Sequence, residues 1–186
     1  TLYDCCPTSD GASAVVLVAD HLAHKFTDTP VWVKGSGAGS DHLALHDRPS
    51  ITQLRATQAA AKRAYATAGI SANDVDLAEV HDCFTIAEVL ATEDLGFASR
   101  GEGGRFAREG EGRRNEGHVT INASGGLKSK GHPLGATGTG QAVEIFKQLR
   151  NQVEPARQVR DAELGLTHNV GGSGATCAVH IFGRER

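Results

Sequence analysis

Residues 122–140 read NASGGLKSKGHPLGATGTG, and this stretch places six glycines and one proline around a single histidine, His132. The next ten residues, Gln141 to Arg150, follow a helical period, so the stretch is predicted to be a loop that leads into a helix. Glycines allow the backbone to approach another group closely, and a helix N-terminus presents free N–H donors and a partial positive charge. We expect an anionic or carbonyl-bearing ligand beside His132, and the alternative is a structural turn with a solvent-facing histidine.

On both sides of this loop, short apolar runs alternate with helical patterns. The predicted strands are 11–19, 31–34 (running into a glycine loop at 35–37), 77–81, 164–168 and 175–182. The predicted helices are 20–26, 52–68, 84–95 and 141–150. This alternation predicts an α/β fold, and the tight glycine turn between the last two strands favours an antiparallel pair. We therefore expect a mixed central β-sheet of about five strands, with helices on both faces.

Length and composition limit the classes of protein that fit. A chain of 186 residues is expected to form one domain, 1–186. The segment 100–117, rich in glycines and charged residues, interrupts the alternation of strands and helices. It is either a disordered linker or an ordered excursion that covers the site. The net charge of −3 gives no basic footprint for nucleic acid, and no apolar stretch has the length of a membrane span. The four cysteines lack a metal-binding spacing, so we expect reduced thiols, no metal and a cytoplasmic location.

Three local groups that could carry chemistry lie at strand ends or in strand-to-helix turns. They are His81-Asp82-Cys83-Phe84, Gly131-His132-Pro133 and His168-Asn169-Val170-Gly171-Gly172. A thiol, imidazoles and free backbone N–H groups are the components of acyl chemistry: a nucleophile or acid/base, its activator and an oxyanion hole. Taken singly, each has a structural alternative: Cys83 as a small buried hydrophobic side chain, and His81 as a strand-end residue bonded to backbone.

Six ordered motifs resemble one known family. They are Ser9-Asp10-Gly11-Ala12, His81-Asp82-Cys83-Phe84, Glu93-Asp94-Leu95-Gly96, Asn122-Ala123-Ser124-Gly125-Gly126, Gly131-His132-Pro133-Leu134-Gly135-Ala136-Thr137-Gly138 and His168-Asn169-Val170-Gly171-Gly172-Ser173-Gly174. In this order they resemble the C-terminal half of a thiolase. The most similar branch is the lipid-transfer (sterol-carrier) and archaeal acetyl-CoA acetyltransferase type. The resemblance implies a thiolase-like half-domain.

The resemblance also implies roles for individual residues. His132 would activate a nucleophilic cysteine and lend a donor to the oxyanion hole, and His81 would take the place of an asparagine that orients an oxyanion-hole water. The usual second catalytic cysteine is replaced here by the Asn169-Val170-Gly171 turn. Proton transfer at the substrate α-carbon is therefore assigned to Cys83, with a thiol pKa lowered toward neutrality by a nearby imidazole. Gly171 would supply the second oxyanion-hole N–H.

Substrates and partners follow from the same resemblance. Ser124, Gly125 and Asn169 are the expected substrate-binding residues, coenzyme A thioesters the expected substrates, and no cofactor is expected. The segment that carries the family's nucleophile has no counterpart in the 186 residues. We therefore expect either a C-terminal fragment or one subunit of a two-chain enzyme, inactive without an N-terminal thiolase half.

The full enzyme is expected to be a homo-oligomer, and a small zinc-ribbon helper subunit is a further implied partner. Two alternative functions stay open. One is a lipid-transfer-type aldolase that acts on steroid acyl-CoA thioesters. The other is a non-catalytic partner that binds acyl-CoA or lipid.

Overall fold

The computed structural model describes residues 1–185, and a five-stranded sheet organises them. Its strands are β1 (Trp32–Ser40), β2 (Leu77–Glu79), β3 (Thr120–Ile121), β4 (Leu164–Gly171) and β5 (Thr176–Gly183). Their order across the sheet is β1-β5-β4-β2-β3. Strand β5 runs antiparallel to both β1 and β4, whereas β2 runs parallel to β4 and β3. The sheet is therefore mixed, as predicted.

Helices cover both faces of this sheet. They are α1 (Arg55–Ala68), α2 (Thr85–Asp94), α3 (Gly103–Glu109), α4 (Gly126–Lys130) and α5 (Thr137–Leu149). One core contains side chains of α1, α2 and α3 together with one face of β2, β4 and β5. A second, smaller core contains Ile145 and Leu149 of α5 against Leu77 on the opposite face of β2. The predicted α/β class with helices on both faces is confirmed. Within residues 1–185, no helix has the length and apolar character needed to cross a membrane.

The glycine loop predicted at 35–37 is wrong, because β1 continues through these residues to Ser40. Its alternate glycines, Gly35, Gly37 and Gly39, lie against backbone carbonyls of α1, where an added Cβ would overlap the oxygen atoms. On the helix side, the contact consists of Ala64, Ala60 and Ala56, which repeat every four residues. Glycine is therefore used here to let a helix approach a strand closely.

The strand predicted at 11–19 is also wrong, because these residues have no regular secondary structure. The run is exposed, with Val16 at 88% and Leu17 at 78% of full accessibility. A strand requires a neighbouring strand for its backbone hydrogen bonds, and the part of the chain that the structure describes pairs none with this segment. The apolar run indicates that the segment favours an extended conformation, but it carries no information about a strand with which the segment could pair.

The excursion at 100–117 is ordered and contains α3. Phe106 of this helix is buried in the larger core, and the Arg100 guanidinium bonds the Asp94 carboxylate at 2.5 Å. On the surface, Arg105 bonds the carboxylates of Glu102, Glu109 and Glu111. The segment is therefore held both by apolar burial and by ion pairs.

Candidate active site

Two parallel strands, β2 and β4, end at the same edge of the sheet and bring the sequence motifs together. His81, Asp82 and Cys83 follow β2, while Asn169 lies near the end of β4. The connection between α4 and α5 carries His132. The carboxyl ends of parallel strands are where open α/β sheets gather functional groups, so this edge is the candidate site.

The central feature of the site is a pair of histidines, His81 and His132. Their ring centroids are 4.8 Å apart and the rings are nearly perpendicular, at 88°. Burial, followed by the nearby His132, lowers the pKa of His81 to about 4. Burial also lowers the pKa of His132, although the Asp82 carboxylate opposes this effect. Both imidazoles are therefore neutral at pH 7, which is the form that accepts a proton.

Each imidazole has a hydrogen-bonding partner at its Nδ1 atom. The Nδ1 atom of His132 lies 2.7 Å from the Thr137 hydroxyl oxygen, which is also 3.2 Å from the Pro133 carbonyl oxygen. The Nδ1 atom of His81 lies 3.3 Å from the Asn169 side-chain nitrogen. The Nε2 atoms are the remaining hydrogen-bonding positions of the two rings.

Asp82 connects the His81 turn to the loop that carries His132. Its buried carboxylate accepts hydrogen bonds from the backbone N–H of Leu127 at 2.7 Å and of Lys128 at 3.3 Å. Gly126 packs directly on this carboxylate, where a Cβ atom would overlap it. Burial raises the pKa of Asp82, and the two N–H donors oppose the rise. The aspartate therefore anchors α4, which ends directly before Gly131 and His132.

Ser124 and Gly125, two predicted substrate-binding residues, lie at the start of α4. The Ser124 hydroxyl contacts a Glu79 carboxylate oxygen at 2.5 Å and the Lys130 ammonium at 2.6 Å. Gly125 has a positive φ of 90° and occupies the position before the first residue of α4. Ser124 therefore links the loop to buried Glu79 through a hydrogen bond. The contact of Ser124 with substrate stays a prediction.

Cys83 is half-buried and follows His81 by two residues. Burial, followed by the Cys6 thiol, raises the pKa of the Cys83 thiol. The expected lowering toward neutrality is therefore wrong, because the loss of solvent outweighs any favourable neighbour. Gly171 is the last residue of β4 and pairs with Thr176 of β5. The roles assigned to Cys83 and Gly171 stay predictions.

Sequence reasoning gave no role to three polar side chains that contact the site. Asp82 and Thr137 stand inside quoted motifs, so their positions were visible although their partners were not. Gln141 was seen only as the first residue of a helical pattern, yet it is fully buried and contacts Asn169. Nothing in the local sequence indicates this burial, because the groups that bond Gln141 come from β4.

Comparison with known proteins shows the family of the chain. A family model described as thiolase C-terminal domain-like matches residues 37–184. The chain belongs to this thiolase family. It is 54% identical, over 98% of its length, to an acetyl-CoA acetyltransferase of Methanothermobacter thermautotrophicus. It is 38% identical, over 94% of its length, to sterol carrier protein 2 of Bos taurus. The predicted resemblance to the archaeal and lipid-transfer branch is confirmed.

The thiolase fold is also seen in a solved structure. The chain superimposes on a protein described as Ltp2-ChsH2(DUF35) aldolase with a TM-score of 0.82, at 24% identity, covering 98% of this chain and 47% of that one. The chain spans 47% of the archaeal relative and 33% of the bovine one. It therefore matches about half, or less, of each of these longer proteins.

Proposed function

We propose that the chain supplies the acid/base and oxyanion-hole half of a thiolase-type acyltransferase acting on 3-oxoacyl-CoA thioesters such as acetoacetyl-CoA. The observation that supports this proposal most is the contact between two neutral imidazoles, His81 and His132, at the sheet edge. One imidazole can accept a proton while its neighbour donates a hydrogen bond to a carbonyl oxygen. Acyl transfer to a thiol needs both functions at one carbonyl group.

His132 is the proposed base for the nucleophilic cysteine of the other half. If its Nδ1–H donates to the Thr137 hydroxyl, that hydroxyl donates its own proton to the Pro133 carbonyl oxygen. The Nε2 lone pair is then available to take the proton of an incoming thiol. A groove of about 580 Å³ is lined by residues 8–13 and 132–136, His132 among them, and it is the proposed path of the thioester.

Cys83 is the proposed acid in the thiolytic direction. The cysteine of the other half attacks the 3-oxo carbon, the carbon–carbon bond breaks, and acetyl-CoA leaves as a carbanion that takes the Cys83 proton. The Cys83 thiolate then recovers a proton from the CoA thiol that attacks the acyl-enzyme, and the cysteine thiolate released by this attack takes back the proton held by His132. The raised pKa of Cys83 favours the protonated thiol as the resting form, which this direction requires. The reverse sequence is the Claisen condensation, with Cys83 as base.

His81 and Gly171 are the proposed oxyanion-hole donors, through the His81 Nε2–H and the Gly171 backbone N–H. These steps use side chains, backbone groups and coenzyme A thioesters alone. The nucleophile belongs to a partner half in the same or a separate chain. We propose that the exposed apolar run at 15–18 packs against this half, because it is the longest run of exposed aliphatic side chains among the described residues.

The proposal is tested by joining the chain to its complement. Co-express it with the part of the Methanothermobacter relative that it does not match, and assay the purified complex with acetoacetyl-CoA and CoA. We expect CoA-dependent thiolysis, with a kcat that falls roughly 10²–10⁴-fold in Cys83→Ala because general acid–base catalysis is lost. Cys177→Ala, which alters a buried thiol of the larger core, is the matched control.

Two outcomes would contradict the proposal. Unchanged turnover in Cys83→Ala would remove the assigned acid. Cleavage of a 3-hydroxyacyl-CoA without added CoA, in a complex that shows no thiolysis, would favour the aldolase function instead.

A further inference from the structure

Gln141 is a fully buried amide in the first turns of α5, and its two ends bond different groups. Its Nε2 atom donates to the backbone carbonyl oxygen of His168 at 3.0 Å. Its Oε1 atom lies 3.4 Å from the side-chain nitrogen of Asn169. Gln141 therefore connects the backbone of β4 to a side chain of the candidate site.

The direction of this chain of hydrogen bonds is fixed at its buried end. A backbone carbonyl can only accept, so the Gln141 nitrogen must face His168 and its oxygen must face Asn169. The Asn169 group that meets this oxygen must in turn be the NH₂ donor. The same nitrogen lies 3.3 Å from Nδ1 of His81, so this ring nitrogen must be the acceptor.

We propose that Gln141 is a positioning residue that holds the His81 proton on Nε2 by orienting the Asn169 amide. A proton on Nδ1 would place two donors against each other in a site where His81 is only 6% exposed. Burying a donor without an acceptor is costly. The chain of hydrogen bonds from Gln141 through Asn169 to His81, called the relay below, therefore excludes this tautomer. The Nε2–H group is then directed away from the relay as a fixed donor. Its use as an oxyanion-hole donor rests on the proposed function.

Nitrogen NMR of the ¹⁵N-histidine-labelled chain tests the tautomer without any turnover. At pH 7, we expect His81 to show a protonated Nε2 and an unprotonated Nδ1. In Gln141→Leu, Asn169 is free to rotate, and the population of the Nε2–H tautomer is expected to fall. In Asn169→Asp, the carboxylate accepts from Nδ1–H, so the tautomer is expected to reverse.

Gln148→Leu is the matched control. Gln148 is an equally buried amide two turns further along α5, and its partners are Glu144, Arg157 and Val159. We expect this substitution to leave the His81 nitrogen signals unchanged. The proposal is overturned if the unsubstituted chain carries the proton on Nδ1, or if Gln141→Leu folds and keeps the original tautomer. If Gln141→Leu does not fold, Asn169→Asp tests the relay instead, and an unchanged His81 tautomer in this variant would overturn the proposal.

Turnover in the complemented enzyme adds a second readout. Asn169→Asp is expected to lower kcat by roughly 10²-fold with a smaller change in KM, because an oxyanion-hole donor acts mainly in the transition state. If the tautomer reverses in the NMR spectrum while kcat stays unchanged, the relay holds and the oxyanion-hole role of His81 fails. If the tautomer is insensitive to both substitutions, the relay fails whatever the activity.

Discussion

Among single residues, His168 shows how the fold keeps an imidazole neutral in its interior. The ring is fully buried between α1 and the end of β2. Its Nε2 atom lies 2.9 Å from the Thr57 hydroxyl, and its Nδ1 atom accepts from the His81 backbone N–H at 3.4 Å. Burial, followed by His81, lowers the pKa of His168 to about 3. Protonation would therefore place an unsolvated charge directly behind the candidate site.

This environment makes stability depend on pH. Because the folded pKa lies below that of the unfolded chain, the unfolded state binds a proton that the folded state rejects as the pH falls below about 6.5. Relative to His168→Gln, the free energy of unfolding of the unsubstituted chain is expected to fall by about 1.4 kcal/mol per pH unit from about 6.5 to 4. Urea unfolding of both proteins at several pH values measures this difference. Parallel profiles would contradict it.

At the scale of elements, the contact between β1 and α1 depends on small residues on both sides. Alternate glycines of the strand face alanines spaced one helical turn apart, so backbone meets backbone without side chains between them. An added methyl group at Gly37 would overlap the carbonyl oxygen of Ala60. The contact can relax only if the whole helix moves.

Gly37→Ala is expected to destabilise the chain by roughly 1–3 kcal/mol or more, because overpacking forces backbone shifts. Gly104→Ala is the matched control: a Cβ atom at Gly104 in α3 meets nothing within 4 Å. This control is expected to be neutral or to stabilise by up to about 1 kcal/mol, because alanine favours helix over glycine. The midpoints of urea unfolding compare the two variants. Equal stability of both would contradict the close-approach account.

The sequence predicted the elements that have strong local signals. The helix predicted at 52–68 is found as α1 (Arg55–Ala68), and the closing strands pair antiparallel, as predicted. It did not reveal that Gly35 and Gly37 lie inside a strand, because the reason for these glycines is contact with Ala64 and Ala60 of α1, which come later in the chain. The Gln141 relay was invisible for the same reason, since Asn169 lies on β4 and His81 follows β2, both far from Gln141 in the sequence. Contacts that depend on tertiary proximity leave no local pattern.

At the scale of the whole molecule, the proposed partner half has two tasks: to cover an exposed apolar surface and to supply the nucleophile. The run at 15–18 exposes aliphatic side chains to solvent, and the chain spans about half the length of its archaeal relative. Exposed contiguous apolar surface marks interaction sites. The same partner half would supply both the cover for this run and the nucleophile for His132.

The double variant Val16→Asp/Leu17→Asp tests this interaction. Charges at these exposed positions are expected to reduce co-purification with the other half, while the unfolding free energy of the isolated chain changes by less than about 0.5 kcal/mol, as is usual for surface substitutions. Ile51→Asp places a charge on another exposed aliphatic side chain and is expected to have no effect on co-purification. Full complex formation by the double variant would show that the run does not contact the partner half.

The role of His132 as base is the central claim, and first-turnover kinetics of the complemented enzyme test it most directly. Rapid-quench measurement of acetyl-CoA release from acetoacetyl-CoA reports the attack of the partner's cysteine. His132→Asn is expected to slow this step by roughly 10²–10⁴-fold, the contribution typical of a general base. His180→Asn, which alters a histidine bonded to Ser36 on β1, is expected to leave it unchanged. A first-turnover rate in His132→Asn equal to that of the unsubstituted enzyme would contradict the account.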